Sequence, residues 1–327
     1  MTGPTVTDFF CGGGGSSEGL AQAGFRVAVA CNHDPVSVAT HRLNHPDTEH
    51  RCVDLHETDH RTLPSTDVLW ASPSCVWHAR SGGRRQPPAE IEQLRGDAGS
   101  VDRATAFAVI EAAEVHRYPV VIVENVPEFC AWSLHDWWIE GLQRLGYTMQ
   151  ASVLDAADFG HAQHRRRWFA VFTQPGVHVD LTTTTAAPVY ATTILDIDPG
   201  KLVTRQLYVS PQIEAITEPG TPHLVVYRRH ARPRRADTHR LAAITAGGNH
   251  HGVATIDHDG RAWHRMLSNR ECARAQGFGD SYEFIGTRAQ VKRQIGNAVP
   301  VGIARFLGAR VSAALGYSSN QQTTMAS

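Results

Sequence analysis

Short apolar runs alternate with amphipathic stretches through the first half of the chain. Residues 6–11 predict a strand that enters a glycine run and then a helix, with Ser16 or Ser17 as N-cap and Gly24 past its end. A second strand is expected at 27–31. Asp34 and Pro35 supply the N-cap and first-turn proline of a helix running to about Asn44, before Pro46. Residues 67–71 read as another strand. Ala104, Phe107, Ala108, Ala112 and Val115 mark one helical face, and 120–123 is a continuous apolar strand of the kind buried on both sides. A tryptophan-rich helix near 134–145, stopped by Gly146, precedes strands at 149–154 and 168–172. This rhythm predicts an α/β fold with a doubly wound, mainly parallel sheet.

From about Pro175 the texture changes. Threonines at 182–185, several prolines, a cluster of arginines and Gly247-Gly248 replace the alternation. A second, smaller, irregular β-rich domain is expected at 179–264. Capped helices at 268–276 and 300–315 are expected to pack back on the first domain, which then comprises 1–178 and 265–316, with a flexible polar tail at 317–327.

The chain has 327 residues, 42% of them hydrophobic, enough for a full core and against general disorder. No run approaches the roughly 18 apolar residues of a membrane span, and the opening Met-Thr-Gly-Pro lacks a basic and apolar leader. A soluble cytoplasmic protein with no membrane partner is expected, its six scattered cysteines read as thiols. The formal charge is -1, but arginines 228, 229, 232, 234, 235, 240, 261, 265 and 270 face only Asp237, Asp257 and Asp259 between residues 220 and 270. Such a local surplus is what a polyanion partner requires. The 19 histidines give no convincing third ligand at metal-binding spacing, so no metal is expected.

Four constellations carry candidate chemistry. Asp8-Phe9-Phe10-Cys11-Gly12-Gly13-Gly14-Gly15-Ser16-Ser17 sits at a strand-to-helix turn, where glycines permit positive φ and close approach of a ligand. It does not complete the dinucleotide pattern, because Ser17 or Glu18 falls at the third glycine position. Glu18 suits a ligand bearing an ammonium group. Ser72-Pro73-Ser74-Cys75 follows the 67–71 strand, at the carboxyl edge where doubly wound folds place ligands, and a thiolate there is a nucleophile. Glu124-Asn125-Val126 ends another strand and offers a proton donor. Gln163-His164-Arg165-Arg166-Arg167 sets arginines at alternating positions.

Order and spacing together resemble the cytosine-C5 DNA methyltransferase family. Two longer matches strengthen the resemblance, Arg270-Glu271-x-Ala273-Arg274-x-Gln276-Gly277-Phe278 and Gln294-Ile295-Gly296-Asn297-Ala298-Val299-Pro300. It covers roughly 1–178 and 265–315 and leaves the middle as a target-recognition domain. It implies a Rossmann-like methyltransferase fold, S-adenosylmethionine as methyl donor, and double-stranded DNA as partner, with the protein acting as a monomer on the nucleoid. The positions it matches to donor binding are Phe9, Cys11, Gly12, Gly13, Gly14, Ser16, Asn32, His33, Asp54, Pro73, Asn297 and Ala298. Asp54 is the match for a carboxylate taking the adenine amine.

The same resemblance assigns the chemistry. Cytosine C5 is too weak a nucleophile to take a methyl group directly. Addition of the Cys75 thiolate to C6, with Glu124 donating at N3 and N4, makes C5 reactive. Arg167 is implied to hold the cytosine O2, with Arg165 beside it. The base must leave the duplex, at a cost of a few kcal/mol. Residues 76–103, with Gly82-Gly83, Ser81, Arg84 and Arg85, resemble the family's closing loop. Arg228 and Arg229 are expected at phosphates, and Thr245, Gly247 and Gly248 near the target bases.

Two departures bear on this expectation. Ser74 and Val76 flank the cysteine where relatives carry Pro and Gln, and Asn32 stands where an acidic residue usually meets the ribose. The alternatives are the same chemistry on transfer RNA, and a DNA-binding homologue with impaired catalysis. A recognition segment of about 90 residues favours DNA. The recognised bases, and any cognate nuclease, are not written in the sequence.

Overall fold

The computed structural model describes residues 3–74, 105–183 and 185–317. Contacts divide them into two compact units. One takes in the described residues up to Leu154, Arg166–Thr183 and those from Val299 onward. The other takes in Asp155–Arg165 and the described part of Thr184–Ala298.

The first unit is built on a seven-stranded sheet of order β3-β2-β1-β4-β5-β7-β6. These strands are β1 Thr5–Phe9, β2 Arg26–Asn32, β3 Glu49–Cys52, β4 Val68–Ala71, β5 Val120–Asn125, β6 Thr148–Asp155 and β7 Arg166–Thr173. β3, β2, β1, β4 and β5 pair in parallel, and β7 runs antiparallel to β5. Every residue of β4 and β5 is buried, as a central strand covered on both faces requires. The expected doubly wound, mainly parallel sheet is therefore observed. β3 has a polar face pattern and gave no apolar signal in the sequence.

Helices α1 (Gly15–Gln22), α2 (Pro35–Asn44), α3 (Phe107–His116) and α4 (His135–Arg144) flank this sheet in sequence. Asp34 caps α2 as expected, its carboxylate accepting from the amides of Val36 and Ser37. Ser16 and Ser17 do not cap α1. Gly14 is the N-cap, at φ +93°, and the serine hydroxyls turn back to Asp8. A buried carboxylate attracts them more strongly than a half-exposed amide would. Trp70, Trp138, Phe129 and Phe172 fill the core.

The second unit holds a five-stranded antiparallel sheet of order β10-β9-β11-β12-β8. Its strands are β8 Lys201–Leu202, β9 His223–Val226, β10 Arg234–Arg235, β11 His251–Ile256 and β12 Ala262–Met266. Val209, Ile213, Ile216, Val225 and Ala254 form an apolar cluster, with Val209, Ile213 and Ile216 contributed in and around the short helix α5 (Ser210–Glu214). This is the second β-rich layer that the change in texture implied. α6 (Asn269–Ala275) and α7 (Arg288–Asn297) belong to the same unit, and each opens with a capping box, Ser268 with Glu271 and Thr287 with Gln290. The last helix, α8 (Val301–Ala314), packs on α1 in the first unit, with Gly19 against the Val301 carbonyl.

Candidate active site

Five neighbouring parallel strands present their carboxyl ends on one edge of the large sheet, where an α/β sheet places its ligands. After β1 the chain makes a left-handed turn, Phe10 at φ +60°, Gly12 at +52° and Gly14 at +93°. Only glycine takes such angles cheaply, so a left-handed phenylalanine marks backbone held in place by its surroundings. Beneath the turn, the Asp8 carboxylate accepts hydrogen bonds from the hydroxyls of Ser16 and Ser17, both at 2.6 Å. Burial pushes the Asp8 carboxyl up to about 6, and the two serines partly offset that shift. Ser17 also meets His41 Nε2 at 2.9 Å, and His41 Nδ1 lies 2.8 Å from His50 Nε2. Burial, the largest cause, and then the neighbouring His45 and His50 hold His41 well below the usual imidazole range.

The candidate donor residues of the first unit fall along this edge. Asn32 ends β2 and its carbonyl accepts from Val53 on the neighbouring β3 side, which brings Asn32, His33 and Asp54 together. The Asn32 side chain accepts from the Asp34 amide at 2.9 Å, while Asp54 is exposed and takes the His56 amide through one oxygen. Gly13 and Ser16 are buried in the turn, and Cys11 is buried with its amide on the Cys31 carbonyl. Phe9 is an exception. Its ring is fully buried against His60, and the half-exposed aromatic at the turn is Phe10. Glu18 is engaged by Gln22 of its own helix and lies 3.9 Å from His45.

A donor bearing a charged amino acid moiety, a ribose diol and an adenine amine fits this set. The turn offers backbone amides at a helix N-terminus, and Asn32 and Asp54 offer acceptors at adjacent strand ends.

The second half of the edge holds the acid–base candidates. Glu124 and Asn125 lie within β5, and Glu124 is opposite Phe169 of β7. Arg167 Nε is 3.3 Å from Glu124 Oε1, with both side chains largely shielded from solvent. Each charge offsets the other's desolvation. Asn125 donates Nδ2 to the Pro73 carbonyl at 3.1 Å, and its Oδ1 accepts from the Val126 amide at 2.8 Å. Ser74 donates its amide to the Thr105 hydroxyl at 3.3 Å. Cys75, Ser81, Arg84, Arg85 and the proposed closing loop lie outside the described residues. Of the described cysteines, Cys11 and Cys31 are buried and burial pushes their thiols up, which makes them poor nucleophiles, whereas at buried Cys272 the Lys292 nitrogen offsets part of that rise.

Within the second unit, Arg165 turns to carbonyls of the protein itself. It is 2% exposed, and its terminal nitrogens donate to the carbonyls of Ile244, Gly296 and Ala298. Gln163 donates to the Ala275 carbonyl and the Gln276 side chain, and accepts from the Ile244 amide. Both residues therefore fasten the segment before Thr245 to the chain around 275–298. Thr245 and Gly248 are half-buried just beyond that anchor, Gly247 is exposed, and Gly248 takes φ +138°. Asn297 is exposed and Ala298 buried at the end of α7.

Acidic partners offset part of the arginine surplus. Arg235 pairs with Glu218 and Asp237, Arg261 with Asp257 and Asp259, and Arg265 with Glu271. Arg270 serves the carbonyls of Gly279 and Tyr282. Arg228, Arg229, Arg232 and Arg234 remain exposed within one short segment, a footprint suited to phosphates.

Residues 5–313 match the family model of C-5 cytosine-specific DNA methylases. The chain belongs to that family. This C-5 cytosine-specific methylase is 25% identical over 97% of its length to the Type II methyltransferase M.MspI of Moraxella sp, covering 72% of that protein. It is 24% identical to the Type II methyltransferase M.HhaI of Haemophilus parahaemolyticus, over 97% of each. A solved structure described as a DNA modification methyltransferase from an E. coli prophage superposes with TM-score 0.70 at 17% identity, over 96% of this methylase and 99% of the other chain. Asp8 and Phe10 stand in the glycine constellation of the sequence without a role assigned to either, and the sequence does not single out His41 for this turn. An aromatic two residues before four glycines was the available sign for Phe10, and an aspartate inside an apolar strand for Asp8.

Proposed function

We propose that this methylase transfers a methyl group from S-adenosylmethionine to C5 of a cytosine swung out of duplex DNA. The observation that carries the reading is the Asn125–Pro73 hydrogen bond, which ties the Glu-Asn-Val strand end to the peptide two residues before Cys75. This bond supports assigning Glu124 and Cys75 to the same strand edge.

When bound, the donor supplies an electrophilic methyl group on a sulfonium. Gly12, Gly13, Gly14 and Ser16 form the turn that holds its amino acid part, Asn32, His33 and Asp54 its nucleoside, and Asn297 and Ala298 supply the contacts that the terminal motif implies. Phe10 takes the role first expected of Phe9. The Cys75 sulfur adds to cytosine C6 while Glu124 donates a proton at N3, so that electron density moves to C5. After methylation, loss of the C5 proton and elimination of the sulfur restore the aromatic ring. Arg167 holds Glu124 and faces the base, and Arg165 positions the segment leading to Thr245. Arg228 and Arg229, with Ser81, Arg84 and Arg85, take phosphates. The protein acts as a monomer on DNA in the cytoplasm. The segment 179–264 is the target-recognition domain, and it carries Arg228, Arg229, Thr245, Gly247 and Gly248.

A duplex carrying 5-fluorocytosine at target sites tests the chemistry, because fluorine blocks the final proton loss. With donor present, a denaturation-resistant adduct is expected for the natural protein and none for Cys75→Ala. A protein that binds the duplex without forming the adduct overturns the reading. Preferential methylation of transfer RNA in direct competition with DNA overturns the assigned substrate.

A further inference from the structure

Lys292 of α7 is one of two lysines in the chain and is only 6% exposed. A buried lysine ordinarily pairs with a carboxylate or with carbonyl oxygens. Here the side-chain nitrogen donates to sulfur, with Nζ 2.9 Å from Sγ of Cys272 on α6. Cys272 is itself fully buried. The adjacent carboxylate, Glu271, is occupied by Arg265 through contacts of 2.7 and 2.8 Å. His251, the other titratable group facing the lysine, is held by burial at about 4 and is neutral at physiological pH. Nitrogen and sulfur thus face each other on two helices of the same unit, with Glu271 held by Arg265 and His251 neutral.

We propose that Cys272 and Lys292 form an oxidant-sensitive pair in which one oxygen atom becomes bonded to both Sγ and Nζ, stapling α6 to α7. The oxidant is a peroxide, a small neutral molecule able to enter a closed interior. One equivalent oxidises the thiol to a sulfenic acid and leaves water. A second oxidises the amine nitrogen as the oxygen–nitrogen bond forms, removing one hydrogen from nitrogen and one from the sulfenic oxygen and leaving two waters. Sulfur and nitrogen each give up two electrons, and the two peroxides accept all four. A dithiol reductant returns the four electrons and restores thiol, amine and water. The observed separation suits a one-atom bridge, whereas a direct sulfur–nitrogen bond would require the helices to draw together.

Intact protein treated with hydrogen peroxide at neutral pH, digested and mapped by high-resolution mass spectrometry tests the pair. The expected product joins the Cys272 and Lys292 peptides, with one oxygen gained and two hydrogens lost, and separates on dithiol treatment. The exposed Cys52 and Cys130 report that oxidant was present. In Lys292→Met, Cys272 is expected to proceed to sulfinic acid. The proposal is overturned if the natural protein yields a linkage without oxygen, the same sulfinic acid, or an untouched Cys272 beside oxidised Cys52. Should Lys292→Met fail to fold, the mass of the natural protein's product still decides.

Discussion

Asn125 on β5 donates its side-chain amide to the carbonyl of Pro73, 52 residues earlier, at 3.1 Å. The bond extends the β4–β5 pairing past the end of β4, and Pro73 lies two residues before Cys75.

Asn125→Ala removes that bond and the acceptor for the Val126 amide. The expected result is a fall in kcat of about a hundredfold, since misplacement by about an ångström costs that much. The donor KM stays near its natural value. Steady-state methyl incorporation into duplex DNA separates the two constants, and an unchanged kcat would refute the positioning role.

Glu124 and Arg167 form the second testable pair. Glu124→Gln keeps the shape of the side chain but removes the proton donor proposed for the reaction, so methyl transfer should drop about 10²- to 10⁴-fold. Arg167→Ala takes away the guanidinium facing Glu124 and should destabilise the fold by about 3 kcal/mol. The double variant should be less unstable than the sum, because a neutral amide at position 124 no longer requires the charge. Urea unfolding of the three variants measures the coupling.

Asp8 gives a pH dependence of defined sign. Its carboxyl is raised from 3.8 to about 6 in the folded protein, so the native state binds the proton more tightly than the unfolded chain. The stabilisation this group contributes is complete below about pH 4 and is lost as pH rises through 6, with a span of about 3 kcal/mol. Asp8→Asn cannot titrate. Its stability relative to the natural protein should therefore rise between pH 4 and 7, as followed by urea unfolding across that range.

Gly19 lies where α1 meets α8. A Cβ there would press on the Val301 carbonyl, the Ala304 side chain and the Arg305 amide, and backbone atoms cannot swing aside. Gly19→Ala should lower stability by about 1–3 kcal/mol despite alanine's better helix propensity. A raised Tm would show that the two helices separate more easily than this packing implies.

The sequence by itself determined what local chemistry and periodicity decide. Continuous apolar runs could only be strands covered on both faces, as β4 and β5 are, and Asp34-Pro35 could only begin a helix well. The motifs also assigned the candidate residues to particular strand ends. β3 and α7 were not read because their residues lack a periodic apolar stripe, and neighbouring elements supply their stability. Only the tertiary structure decided how polar groups divide their hydrogen bonds. It turned Ser16 and Ser17 from caps into partners of Asp8, and gave the Arg165 guanidinium three carbonyls to clamp. It also neutralised several arginines that looked free for phosphates. The physical reason is that a side chain's charge is visible in sequence, whereas its partner, brought near by chain segments tens of residues away, exists only after folding.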